Sequence, residues 1–249
     1  MKTRALAIVL LFTLAPGVRA DTSLIAVATN FAPVAAALAP GFAAATGHQV
    51  TITAGSTGKL YAQITAAAPF DALLSADQTT PARLVTEGLG VAGSPFTYAT
   101  GALALWSADP DRIGPDGTAA LSDDHLRFVA IANPDLAPYG LAAKETLQAL
   151  DLWDALQPKI VMGQNIGAAF ALTDSGAAEL GFVALSAVIA PDTGGSSWIV
   201  PQDLYAPIHQ DAVLLTEGAD NPAAQAFLDY LTSPEAVALI TASGYAVTP

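Results

Sequence analysis

Two stretches decide how this chain folds: Leu24-Ile25-Ala26-Val27-Ala28-Thr29-Asn30 and Val50-Thr51-Ile52-Thr53-Ala54-Gly55-Ser56-Thr57-Gly58-Lys59. Each is an apolar or β-branched run that hands over to small polar residues, where a strand should give way to a helix. The first turn of a helix exposes backbone N–H groups with no internal partner, and the helix dipole adds partial positive charge there. Two such ends, carrying small hydroxyl and amide side chains, form a socket for an oxyanion.

The same alternation continues outward from these stretches. Leu24–Ala28 reads as a buried strand, and Phe31–Ala45 as a helix ended by Gly47. Val50–Ala54 is the next strand and Lys59–Ala67 a helix stopped by Pro69; strand Asp71–Ser75 and helix Pro81–Glu87 follow. This βαβαβα order predicts a parallel sheet with helices on both faces. Phe96–Trp106 is a long β-rich run, and its interior Gly101 suits a bend between two domains. Ser107–Asp124, rich in Asp, Gly and Pro, reads as loop. A second alternation comprises strand Arg127–Ala132, helix Leu141–Leu150, strand Ile160–Met162, helix Gly167–Asp174 and strand Leu180–Ala184. Trp198–Val200 and Ala212–Leu215 read as strands, and helices Pro222–Leu231 and Pro234–Ser243 close the chain. The expected organisation is a signal peptide over 1–20, lobe I over 21–100 and 209–249, and lobe II over 101–208.

Composition narrows the class. Lys2 and Arg4, then the apolar Ala5–Leu14, then Val18-Arg19-Ala20, have the order of a cleavable export signal, so the mature chain is expected to start at Asp21. No later run is apolar for long enough to span a bilayer. There is no cysteine, which excludes disulfides, zinc–thiolate sites and a lipidated cysteine at the cleavage site. An exported, non-lipidated protein of the periplasm is expected. The formal charge is −13, and loss of Lys2, Arg4 and Arg19 makes the mature chain three units more negative. Nucleic acid is therefore excluded as a partner. Long-range steering would also repel an anion, so its recognition must be short-range and dipolar.

Several chemical motifs fail on inspection. A phosphate-binding P-loop ending at Gly58-Lys59 would need glycine where Thr53 stands and Ser or Thr where Leu60 stands. Gly55-Ser56-Thr57-Gly58 lacks the one-residue flanks of a nucleophile elbow. His48, His125 and His209 share no metal-ligand spacing, and Asp123-Asp124 reads as a solvated turn. No catalytic constellation is visible, and neither enzyme activity nor a cofactor is expected.

At Val27-Ala28-Thr29-Asn30-Phe31, Gly55-Ser56-Thr57-Gly58-Lys59-Leu60-Tyr61, Ala68-Pro69-Phe70-Asp71, Leu74-Ser75-Ala76-Asp77, Pro138-Tyr139-Gly140 and Asp229-Tyr230-Leu231, the chain resembles the periplasmic molybdate-binding proteins of ABC importers. The order and spacing of these landmarks span most of the mature chain. The resemblance implies a type II periplasmic binding fold, with two α/β lobes, each a mainly parallel sheet flanked by helices. A tetrahedral dianion would sit in the cleft. Thr29 and Asn30 match the family's first contact segment, and Ser56 and Thr57 the second. Tyr139, at the start of the helix near Leu141, and Ile166, before the helix near Gly167, match positions that donate backbone N–H; Tyr139 could add its phenol. Molybdenum or tungsten would be bound only as the oxyanion, with no direct metal ligand. The implied partner is the membrane permease of an ABC importer, and a monomer is expected. One departure stands out: some members carry a ligand-binding tyrosine where this chain has Ala184.

Alternatives remain open on the residues alone. Thr29, Asn30, Ser56 and Thr57 also fit ordinary helix caps, and Tyr139 a packing residue. Asp71 and Asp77 are assigned to structural hydrogen bonds and Lys59 to the surface. Another tetrahedral oxyanion such as sulfate, or ferric iron, fits the same fold, although iron needs convergent phenols and the six tyrosines include no adjacent pair.

Overall fold

The computed structural model describes residues 20–190 and 192–247. The expected export signal thus lies outside the described residues, apart from Ala20. The chain begins with β1 (Thr22–Ala28), α1 (Ala32–Thr46), β2 (Gln49–Gly55), α2 (Thr57–Thr65), β3 (Ala72–Leu74) and α3 (Thr79–Thr86). The long β-rich run is two strands, β4 (Phe96–Gly101) and β5 (Leu103–Ser107). Then follow α4 (Gly117–Leu121), β6 (Val129–Ala132), α5 (Pro138–Ala149), α6 (Trp153–Leu156), β7 (Ile160–Gly163), α7 (Ile166–Asp174), β8 (Leu180–Ala184) and α8 (Leu185–Val188). The chain ends with β9 (Ser196–Ile199), β10 (Ile208–Leu214), α9 (Pro222–Tyr230) and α10 (Pro234–Ala242).

Two five-stranded sheets result, in the orders β2-β1-β3-β10-β4 and β7-β6-β8-β5-β9. Pairing is mixed rather than purely parallel. In the first sheet β1 is parallel to both β2 and β3, while β10 runs antiparallel to β3 and β4. In the second, β6 is parallel to β7 and β8, while β5 runs antiparallel to β8 and β9. The reversed strand is the fourth of each sheet, and in each case it is the strand that enters directly from the other sheet. A βαβ crossover returns the chain in the same direction; entry from another lobe has no such constraint.

Helices cover both faces of each sheet. In the first lobe, Phe42 and Phe227 meet edge to face at 5.2 Å on the side of α1 and α9. Leu60 and Ile64 of α2 and Leu84 of α3 pack with Leu73 and Val213 on the opposite side. In the second lobe, Trp106 of β5 stacks on Phe170 of α7 at 4.8 Å. The continuous apolar run of β1 follows from its burial between two neighbours and two helical layers.

Local deviations from expectation have local causes. Within the expected loop, α4 forms because Asp116 caps it, accepting the Thr118 N–H at 3.0 Å. Helix α5 starts three residues earlier than the expected Leu141, because Pro138 occupies its first turn, where the missing N–H costs nothing. Gly101 ends β4, and the chain changes sheets at Ala102. Its φ is not positive, so conformational freedom is not why it is glycine. A Cβ there would lie 2.0 Å from Tyr139 Oη and 2.7 Å from Gln210 Nε2. Glycine lets Tyr139, from the second lobe, seat against the first.

Gly101→Ala is therefore expected to displace a buried phenol and cost about 2 kcal/mol by overpacking. A thermal unfolding midpoint equal to that of the unsubstituted protein would contradict this reading of Gly101.

Candidate functional site

Four helices start where the two lobes face each other. α1 and α2 follow the adjacent parallel strands β1 and β2; α5 and α7 follow the adjacent parallel strands β6 and β7. Ligands of open α/β sheets bind beyond the carboxyl ends of such strands. The lobes touch here. The Gly58 N–H donates across the cleft to the Leu136 carbonyl at 2.9 Å, and a Cβ on Gly167 would come within 2.7 Å of the Thr29 methyl.

All six residues singled out from the sequence, Thr29, Asn30, Ser56, Thr57, Tyr139 and Ile166, line one small cavity between these helix starts. Its volume is about 10 Å3, roughly the room of one water molecule, far too little for an organic solute. A second cavity of about 520 Å3 shares Thr29, Asn30 and Ile166 with it. That one is walled mainly by aliphatic groups of α1, α7 and α8, and it includes Ala184. It offers an anion few donors, which makes the smaller cavity the candidate site.

The four polar residues of the first lobe are not helix caps. Ser56 stands at the cap position of α2, yet its hydroxyl makes no capping bond and is buried without any protein partner. Thr29 Oγ1 is likewise buried and unpartnered. The Thr29 N–H donates to the Gly55 carbonyl at 2.9 Å, extending the β1–β2 ladder by one step and setting Thr29 beside Ser56. Thr57 Oγ1 accepts the Ala76 N–H at 3.1 Å, which leaves its own hydrogen for another acceptor. Two orphaned hydroxyls would each cost on the order of 1–3 kcal/mol if nothing ever met them. A guest rich in acceptors fits them.

Backbone donors complete the set. Among the described residues, no protein acceptor receives the N–H of Asn30, Ser56, Thr57, Tyr139 or Ile166. Asn165 caps α7 by accepting the Ala168 N–H at 2.9 Å, so the cap leaves the Ile166 N–H untouched. No lysine, arginine or carboxylate lines the cavity.

Two expectations need correction. The Asn30 side chain does not supply its amide to the cavity: Nδ2 donates to Gln210 Oε1 at 2.7 Å and to Tyr245 Oη at 3.2 Å. Only the Asn30 backbone N–H is available to a guest. The Tyr139 phenol also points elsewhere, toward Gly101 and Gln210 Nε2, which lies 3.5 Å from its oxygen. Tyr139 thus offers the cavity an unpartnered N–H and not its phenol.

Both side chains belong to a buried polar hub missed by reading the sequence. Tyr98 Oη lies 3.0 Å from the Ser75 carbonyl and 3.2 Å from Gln210 Oε1. Phe31 wedges between the Tyr98 and Tyr245 rings, at 4.7 and 5.3 Å, and so holds the start of α1. Burial pushes the Tyr98, Tyr139 and Tyr245 phenols above their ordinary values, so all three remain neutral donors. Convergent tyrosines alone would suit ferric iron, but here the Tyr98 and Tyr245 phenols are engaged with the Ser75 and Asn30 carbonyls. Asp71 and Asp77 hold structure as expected: Asp71 accepts from Ser23 Oγ and the Leu24 N–H, and Asp77 from the Thr80 N–H. Lys59 is exposed.

The family model of bacterial extracellular solute-binding proteins matches residues 24–246. The chain is 48% identical over 245 residues to the molybdate-binding protein ModA of Rhodobacter capsulatus, covering 98% of this chain and 96% of that one. It is 50% identical over 223 residues to the molybdate-binding protein ModA of Azotobacter vinelandii, covering 89% and 88%. The solved Azotobacter vinelandii periplasmic molybdate-binding protein superposes with a TM-score of 0.87 at 42% identity, over 91% of this chain and 100% of that one.

The bonding pattern separates two variants in the absence of any anion. Ser56→Ala removes an unpartnered hydroxyl and should leave the unfolding midpoint nearly unchanged. Asn30→Ala breaks two buried hydrogen bonds and should cost about 2 kcal/mol. Equal midpoints for the two variants would refute the assignment of the Asn30 amide to the hub.

Proposed function

Because the chain belongs to the bacterial extracellular solute-binding proteins, in the molybdate-binding family, we propose that it binds molybdate between its lobes and delivers it to the permease of an ABC importer. It is a binding protein and not an enzyme. The observation that carries the reading is the set of uncharged, unpartnered donors at four helix starts: the hydroxyls of Thr29 and Ser56 and the N–H groups of Asn30, Ser56, Thr57, Tyr139 and Ile166. The Thr57 hydroxyl can join them.

A tetrahedral dianion that leaves water must have its lone pairs met by donors. Donors drawn from both lobes make closure and binding one event. A protonated phosphate also carries a hydrogen that needs an acceptor, and no carboxylate lines the cavity. Sulfate has the charge and shape of molybdate in a smaller package, so its exclusion rests on cavity size. Tungstate matches molybdate in charge and size and belongs to the same reading. So do export by a cleaved signal over 1–20, an unlipidated periplasmic protein, a monomer, and lobes divided as 21–100 with 209–249 against 101–208.

Calorimetry on dialysed protein tests the substrate. Molybdate and tungstate are expected to bind at least a hundredfold more tightly than sulfate or phosphate; tight sulfate binding with no molybdate signal would overturn the assignment. Ser56→Ala should weaken molybdate at least tenfold, the worth of one desolvated hydrogen bond to a charge.

The pH profile is a separate check. Among the residues lining the small cavity only Tyr139 has a titratable side chain, its phenol is turned toward Gln210 and Gly101, and burial raises it well above its ordinary value. It therefore stays protonated, and the affinity should be flat between roughly pH 6 and pH 9. A tenfold change across that window would show an ionisable group in contact with the anion.

A further inference from the structure

Tyr245 and Ser186 are not part of the donor set, yet they join the lobes beside it. Tyr245 belongs to the first lobe: its ring packs against Phe31, and the next residue, Ala246, bridges Thr100 of β4. Ser186 belongs to the second, in α8, which follows β8 directly. The two hydroxyl oxygens are 3.0 Å apart. Tyr245 Oη also donates to the Asn30 carbonyl at 2.7 Å. A phenol has one proton. With that proton on the Asn30 carbonyl, Tyr245 can only accept from Ser186, so the serine is the donor across the cleft.

We propose that Tyr245 and Ser186 form a latch between the lobes, which favours closure before any anion arrives and positions the Asn30 and Tyr139 N–H groups toward the cavity. Both are positioning residues. The Asn30 carbonyl and side-chain amide are held by Tyr245 and Gln210, which fixes Asn30 on both its side chain and its carboxyl side and so limits where its N–H can point. Tyr139 is gripped from the first lobe by Gln210 and by contact with Gly101. When the lobes part, Ser186 leaves Tyr245 and Tyr139 leaves Gln210, while the Asn30 contacts stay within the first lobe. The opening step therefore breaks a small, defined group of buried hydrogen bonds, and the closed arrangement is partly preorganised.

The role of the latch as an aid to anion binding rests on the molybdate reading; its existence does not. The test therefore includes a measurement without anion. The chain has no cysteine, so Thr51→Cys on β2 and Gln148→Cys on α5, both exposed, give one spin label per lobe. Without molybdate, Ser186→Ala is expected to move the distance distribution toward longer separations, and Tyr245→Phe to move it the same way. In calorimetry each should weaken molybdate about tenfold, mainly through faster dissociation. Ser186→Ala removes no contact internal to either lobe, so it keeps the test valid even if Tyr245→Phe folds poorly. Distance distributions of Ser186→Ala that superimpose on those of the unsubstituted protein would overturn the latch. Failure of the unsubstituted protein to bind molybdate would overturn the ligand assignment instead, while the distance measurement still decides the latch.

Discussion

An anion taken out of water needs a donor for each lone pair it exposes, and around this small cavity there is no cation to help. That constraint explains much of the architecture. Neutral donors are individually weak, so several must converge, and no single helix start offers enough of them. Adjacent parallel strands in each lobe place two helix starts side by side, and the facing lobe supplies two more. The acidity of the whole chain is compatible with this arrangement. Surface carboxylates farther away than about 8–10 Å are screened by salt, whereas N–H dipoles at contact distance are not.

The polar hub behind the cavity serves the same end by different means. Asn30, Gln210, Tyr98, Tyr139 and Tyr245 hold one another in a buried, uncharged network. Such a network is costly when half satisfied and rigid when complete. Phenols suit this position because burial keeps them protonated, so the network stays neutral beside the proposed anion site. The hub spans the place where the chain changes sheets, at Ala102 and again between β9 and β10, and thereby ties the geometry of the site to the relation between the lobes.

The alternation of strands and helices was legible from periodicity and punctuation alone: Gly47 in the left-handed conformation after α1, Pro222 and Pro234 opening the last two helices. Thr29, Asn30, Ser56 and Thr57 were legible too, since small polar residues that follow a strand announce a helix start; Tyr139 and Ile166 came only from the resemblance to the molybdate-binding family. Their division of labour was not. A serine at a cap position looks the same whether its hydroxyl caps the helix or faces a cavity, and only the tertiary structure shows Ser56 Oγ without a partner. Gly101 was legible as the place where the chain passes between the lobes, but what requires glycine there is the phenol of Tyr139.

By itself, then, the sequence determined the α/β class, the helix starts and the uncharged character of the donors, because these depend on residues within a few positions of one another. The tertiary structure alone decided which donors remain free. Asn30 meets Gln210 and Tyr245 across 180 and 215 residues of chain, and contacts so distant leave no local pattern to read. A hydrogen spent on such a partner is lost to the anion, so which donors are available depends on packing between lobes that no short stretch of sequence encodes.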